Sequence, residues 1–311
     1  MRRAVRSRPS SARARGSARG AALLLALLLT AFGAAVATQM LAPLAEWLAR
    51  ERRASDLNAA YTLADGATAW ALTVLAADRL RGPVDHYGEP WATRLPATAI
   101  ESGVLEGHIV DLQARFNINL LADPARAPAA ARLAAQRALA AIGLDPGLAE
   151  RLADALDGDQ LTESGQSETQ AYGGSLRNRA IEEWSDLLAI RGVGEAEIAR
   201  LAAHWVILPG PTRINANTAS PELLAALLPE ADPGLLAAFV REREQRPLAS
   251  AAELPMRLKT SVPEGLFSAG SEYFGVEARI RHGSVAHRLQ LVVHRPASGR
   301  PILLRRVTTH D

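Results

Sequence analysis

Cysteine is absent from this sequence, which excludes disulfides, thiolate zinc sites and cysteine nucleophiles. The absence leaves the compartment open, because an exported chain can do without disulfides. Aromatic residues are scarce at 5 %, and Lys259 is the single lysine. Ala and Leu therefore supply most of the 48 % hydrophobic content, which favours helix over sheet. Enzyme signatures are missing as well. His86, His108, His204, His282, His287, His294 and His310 show no metal-ligand spacing, and His287 and His294 read as surface residues of strands. There is no phosphate loop, no Gly-x-Ser-x-Gly and no dinucleotide fingerprint, so no enzymatic activity is expected.

Acidic residues are missing from the first 45 positions. Residues 1–20 carry seven arginines, and Ala21 to Ala45 form a run of 25 with no charge at all. Without the seven arginines, 28 basic residues face 33 acids, a net charge of −5, so the basicity of the chain belongs to its leader. As a helix, 25 residues at about 1.5 Å each span an apolar bilayer core of about 30 Å. Basic flanks stay cytoplasmic, so the remainder is expected outside the cytoplasm, anchored in the inner membrane. A cleaved secretory signal is an alternative, with Ala34-Ala35-Val36-Ala37 as its processing site. A third reading starts from Gly20. Ser17-Ala18-Arg19-Gly20-Ala21-Ala22-Leu23-Leu24-Leu25 resembles the junction of type IV pilin-like precursors, where a prepilin peptidase cuts after the glycine and the apolar helix stays on the mature protein. The resemblance makes Gly20 and Ala21 the processing residues, with methylation of Ala21. Most pilins carry Glu at the fifth mature position. Here it is Leu25, which cannot pair with the amino terminus of a subunit in front of it.

Beyond the apolar run, residues 46–80 keep helical spacing, with Pro43 as an expected kink and Arg81-Gly82-Pro83 as the stop. Trp47 suits a membrane interface, and Trp70, Trp91, Trp184 and Trp205 read as packing residues. Residues 82–104 are turn-rich, and 107–116 hold one or two short strands. Residues 120–270 are mainly helical, with helices expected near 127–142, 146–156, 182–190, 194–206, 220–228 and 232–245. Three alternating runs after 270 predict an antiparallel meander that shares one sheet with the early strands. The fold class is therefore α+β: a long amino-terminal helix, a small antiparallel sheet and a large inserted helical domain. The divisions are 1–20 leader, 21–45 transmembrane segment, 46–119 first part of the sheet domain, 120–270 insert, and 271–311 closing strands.

Four segments resemble one family. They are 111–120 (Asp-Leu-Gln-Ala-Arg-Phe-Asn-Ile-Asn-Leu), 154–159 (Asp-Ala-Leu-Asp-Gly-Asp) with Glu168 and Tyr172, 214–222 (Ile-Asn-Ala-Asn-Thr-Ala-Ser-Pro-Glu), and 271–274 (Ser-Glu-Tyr-Phe) before a strand. Together with the leader and Leu25, they resemble general secretion pathway protein K, the large minor pseudopilin of type II secretion. The resemblance implies a pilin-like sheet carrying the insert, placement at the pseudopilus tip, help in starting assembly, and a periplasmic globular part. It also implies the I- and J-type minor pseudopilins, the major pseudopilin and prepilin peptidase as partners. It further implies calcium in the acidic segment, where Asp157, Asp159 and Glu168 are candidate ligands beside Glu163. Glu168-Thr169 stands where the family tends to have Glu-Asp, so one carboxylate is missing.

Residues 188–201 also match a helix-hairpin-helix, giving the insert a SAM-like character, and 215–254 resemble a competence-type DNA receptor. A membrane-anchored DNA-binding protein is thus the alternative. Glu195 and Glu197 follow the first hairpin, and Glu230 and Asp232 stand in the second, so phosphate is repelled and no nucleic acid is expected.

Overall fold

The structure, a computed structural model, describes residues 14–100, 103–122, 128–157, 166–167 and 179–310. It has two compact units, Met1–Ala59 and Ala60–Asp311, which divide within the first helix, α1 (Ala14–Arg79). This helix continues through Pro43, where a kink was expected.

In the first unit α1 buries nothing. Every described side chain from residue 20 to 55 is exposed, leucines included. From Ala60 the helix acquires an inner face of Ala60, Ala64, Ala67, Ala71 and Leu75, all buried. Spacings of three and four place these residues on one stripe, and four alanines allow close approach of whatever covers them.

The second unit holds a five-stranded antiparallel sheet, ordered β1-β2-β7-β8-β9. Its strands are β1 (Leu95–Ile100), β2 (Gly103–Asp111), β7 (Tyr273–His282), β8 (Val285–His294) and β9 (Ile302–His310). The closing meander is present, and β2 pairs with β7 from Gly103↔His282 to Asp111↔Phe274, so early and late strands do share one sheet. The turn-rich stretch before residue 104 contains β1, which was not expected. It lies at the sheet edge, contains Pro96 and has a mostly exposed pattern, so it shows no alternation in sequence. The inner face of β8 alternates strictly: Val285, His287, Leu289, Leu291 and Val293 are buried.

Between β2 and β7 lies the insert. Its helices are α2 (Pro128–Ala141), α3 (Leu148–Leu156), α4 (Glu195–His204), α5 (Pro221–Leu227), α6 (Pro233–Glu242) and α7 (Leu254–Leu258). The helix expected at 182–190 is a six-residue 3-10 helix, Trp184–Ala189, and α7 was not expected. Phe116 and Trp205 meet in its core at a tilt, with ring centroids 4.4 Å apart, among buried Leu139, Leu152, Leu187 and Leu201.

The insert is not purely helical. Two parallel ladders of two residues each close its two halves. β3 (Phe116–Asn117) pairs with β4 (Trp205–Val206), and β5 (Ile214–Asn215) pairs with β6 (Phe267–Ser268). Each ladder begins at the same pentapeptide pattern, Arg115-Phe-Asn-Ile-Asn119 and Arg213-Ile-Asn-Ala-Asn217. In each, the first Asn accepts the backbone N–H of the second, an Asx turn that fixes the second side chain. That second Asn then clamps one distant residue through both its groups. Asn119 takes the N–H and C=O of Ile181, and Asn217 takes those of Leu248. Asn119 also donates to Leu208 O and Asn217 to Ala269 O. The insert is thus two lobes built on one plan.

Candidate functional site: an exposed apolar helix and a buried polar joint

Gly20, Ala21 and Leu25 all lie on the exposed part of α1. Leu25 is 62 % exposed, and Leu23, Leu24, Leu27, Leu28 and Leu29 are equally uncovered. A run of this length is long and apolar enough to cross a membrane. Its two threonines are satisfied within the helix. Thr30 donates to Leu27 O at 2.9 Å and Thr38 to Ala34 O at 2.8 Å, so neither hydroxyl needs water. Trp47 is exposed just past the run.

Of the candidate calcium ligands, Asp157 is placed as the residue that caps the end of α3. Asp159, Glu163, Glu168 and Tyr172 lie outside the described residues. Among the described residues, Asp78, Asp85 and Glu89 bring oxygens within 4.8 Å of one another. There the positive charge is already supplied. Arg295 donates to Asp78 Oδ2 and Asp85 Oδ1, both at 2.5 Å, and to Ser271 O at 2.9 Å. Its guanidinium also lies 4.5 Å from the centre of the Phe274 ring.

This ion triplet is one end of a buried polar joint. It gathers the end of α1, the loop at Asp85, the end of β2, the second lobe and the strands β7 and β8. Asp85 Oδ2 accepts the Ser271 N–H at 2.7 Å, and the Asp85 carbonyl accepts Asn215 Nδ2 at 3.0 Å. Asp111 Oδ2 accepts from Ser271 Oγ, Thr218 Oγ1 and Asn215 Nδ2, while its Oδ1 accepts the Gln113 N–H. Gly270 runs so close to the Pro83 carbonyl that no side chain fits. Burial pushes Asp85 up to about 7, against the pull of Arg295. Burial and then Glu89 raise Asp78, and burial raises Asp111 despite its donors. With two carboxylates on one guanidinium, and Asp78 Oδ1 buried without a hydrogen-bond partner, the triplet favours holding a proton near neutral pH.

The turn of the hairpin that suggested DNA binding is present, between the 3-10 helix Trp184–Ala189 and α4. Gly192 takes φ +83° in its turn, and Gly194 precedes α4. Its amides are used internally. Gly194 N–H donates to Glu197 Oε2 and Val193 N–H to Ile190 O. In the second hairpin Asp232 Oδ1 takes the Leu235 N–H, and Pro229 and Pro233 have no N–H to offer. The Gly194 and Leu235 amides, which could help cradle a phosphate, are taken by the protein's own carboxylates.

Two sequence expectations about single residues change. His287, expected at the surface, is 1 % exposed, because its position in β8 has the parity of Leu289 and Leu291. Trp70 is exposed on α1, whereas Trp91 and Trp205 are core residues. Arg295, the centre of the joint, carries little signal in the sequence: its two acidic partners precede it by more than 200 residues, and locally it is an arginine closing an apolar strand.

Residues 114–210 match a family profile described as the first domain of type II secretion system protein K, and residues 214–277 match a second profile of the same protein. The boundary between the two falls between the two lobes. The type II secretion system protein K of Pseudomonas aeruginosa is 30 % identical over 298 residues, 88 % of this chain and 87 % of that one. The Aeromonas hydrophila protein of the same name is 27 % identical over 319 residues, 93 % of this chain and 96 % of its own. The fold resembles a chain in the crystal structure of the GspK-GspI-GspJ complex from the enterotoxigenic Escherichia coli type 2 secretion system. There the TM-score is 0.64 at 20 % identity, covering 84 % of this chain and all of that one. With a continuous match to the Pseudomonas relative, an α+β fold of that shape and both profiles in order, the chain belongs to the type II secretion system protein K family.

Proposed function

We propose that this chain is a minor pseudopilin that caps the tip of a pseudopilus and helps start its assembly for protein export across the outer membrane. The observation that carries this reading is Leu25, an exposed apolar side chain inside an uncovered apolar helix. A subunit with Glu there gains a partner in the neighbour in front. A subunit with Leu gains nothing from such a neighbour, which suits the first position. The inserted lobes between β2 and β7 add to this, since so bulky an addition is hard to repeat along a helical filament.

In this reading residues 1–20 are removed by prepilin peptidase between Gly20 and Ala21, and Ala21 is methylated. Residues 21–45 then anchor the chain in the inner membrane with the second unit in the periplasm. The related Escherichia coli chain was crystallised with GspI and GspJ. We assign the I- and J-type minor pseudopilins as partners here, and the major pseudopilin below them. The protein acts by placement rather than catalysis. Calcium held by Asp157, Asp159 and Glu168 is a structural addition to the first lobe, and chelation is expected to lower that lobe's melting temperature.

Mass spectrometry of the mature amino terminus, in cells with and without prepilin peptidase, tests the pathway. A methylated Ala21 that disappears without the peptidase supports it. A terminus near residue 37, or an intact Met1, overturns it. The tip assignment is tested by co-purification of I- and J-type subunits with this chain. Their absence, with the major pseudopilin recovered in excess, refutes a tip position.

A further inference from the structure

Among the described residues, His287 stands out as a buried side chain whose two nitrogens both lack a hydrogen-bond partner. It lies on the inner face of β8, 1 % exposed. Buried polar groups without partners are rare and costly, at about 1–3 kcal/mol each. An isoleucine or leucine at this position would extend the apolar row of Val285, Leu289 and Leu291 without that cost.

What surrounds His287 narrows the explanation. Tyr61 of α1 meets the ring edge-on, with centroids 5.2 Å apart. His310 of β9 is its direct cross-strand neighbour, at 4.5 Å between ring centroids. Burial and the charge on His310 both lower the pKa of His287. One turn along α1 from Tyr61, Asp65 is engaged by Arg306 of β9. Directly opposite across the other side of β8 is Ile280. His310 is exposed and opens one side of the pair to solvent.

We propose that His287 and His310 form a two-imidazole site for a divalent transition cation of the copper, nickel and zinc class. Neutral imidazole is the ligand these ions prefer, and this chain has no thiol to compete. The separation fits. A metal–nitrogen bond of about 2.0 Å puts a ring centroid about 3.1 Å from the metal, so rings 4.5 Å apart subtend about 93°. With one nitrogen of each ring turned to the ion, that is the cis angle of a square-planar or tetragonal ion, Cu(II) first. Water supplies the remaining positions from the exposed side. The bound ion fastens β9, the free edge of the sheet, to β8.

Titrate the full, untagged, detergent-solubilised chain with Cu(II) and record pulsed electron paramagnetic resonance. The expected result is one Cu(II) per chain, with modulation from two imidazoles. His310→Ala, an exposed change that leaves the core intact, is expected to weaken binding at least tenfold and leave one imidazole. His287→Gln is expected to do the same, and His204→Ala to change nothing. Stoichiometric Cu(II) with no two-imidazole signal overturns the site. So does binding that His310→Ala and His287→Gln leave unchanged.

Discussion

Replacing Arg295 by Met removes the one positive charge from the polar joint while keeping most of its length. Two buried carboxylates, Asp78 and Asp85, then lose their counter-ion, and Ser271 O loses a donor. Removing one partner of a buried pair costs about 3–5 kcal/mol. For a unit of this size that corresponds to a fall of about 6–20 °C in melting temperature. The loss has a pH signature. Asp85 already sits at about 7 in the fold, above its ordinary value. Such a group contributes stability that is fully present below its ordinary pKa and fades as pH rises through the folded pKa. Without Arg295 both carboxyls rise further and fold as neutral acids at pH 5, but must be charged or take up protons at pH 8. The variant is therefore expected to lose most of the 3–5 kcal/mol at pH 8 and clearly less at pH 5. Urea unfolding of the solubilised chain, followed by near-ultraviolet circular dichroism at both pH values, measures this. A loss below about 1 kcal/mol at pH 8, or an equal loss at both, refutes the reasoning.

Other changes probe the joint, the hairpins and the helix. In Asp85→Asn the wild-type decline in stability between pH 5 and pH 8 is expected to flatten, read by the same unfolding curves. Gly192→Ala places a Cβ at φ +83° in the first hairpin and is expected to cost about 1–2 kcal/mol, seen as a lower melting temperature. Asp232→Ala removes the cap that takes the Leu235 N–H and is expected to cost about 1 kcal/mol. Leu25→Glu places a carboxylate in the apolar run; on the proposed tip assignment it is expected to admit the chain to filament positions, scored by increased cross-linking to the major pseudopilin.

Much of this fold could be read from residue order alone. The uncharged run at 21–45, the alternating closing strands and the Ser220-Pro221-Glu222 start of α5 each carry a local signal with a physical cause. Ser220 Oγ does accept the Leu223 N–H, at 3.1 Å. The edge strand β1 was hidden because an exposed edge need not alternate. Two-residue ladders have no periodicity to find. His287 was legible, since β8 alternates and His287 shares the parity of its leucines. It was misread by residue type instead of position. The joint was not legible, because the acidic partners of Arg295 lie 210 and 217 residues away in sequence and no local pattern joins them.

The two lobes show how that joint arose from a shared plan. Both copies use their second Asn alike, as a clamp on one distant backbone residue. The first Asn differs. Asn117 Nδ2 closes on its own lobe, donating to Gly210 O and Thr212 Oγ1. Asn215 Nδ2 instead reaches Asp85 O, Asp111 Oδ2 and Ser271 Oγ, all in or beside the sheet. The same backbone turn thus serves closure in one copy and attachment in the other. Removing the two side chains should therefore have different ranges. Asn117→Ala is expected to lower hydrogen-exchange protection at 205–212 and leave the sheet unaffected. Asn215→Ala is expected to lower it at Asp85, Ser271 and the end of β2 as well, and to cost more, since it leaves a buried Asp111 short of a donor. Equal and local effects from both substitutions would mean that Asn215 closes its own lobe too, and that the insert is held to the sheet by Arg295 and Asp111 without it.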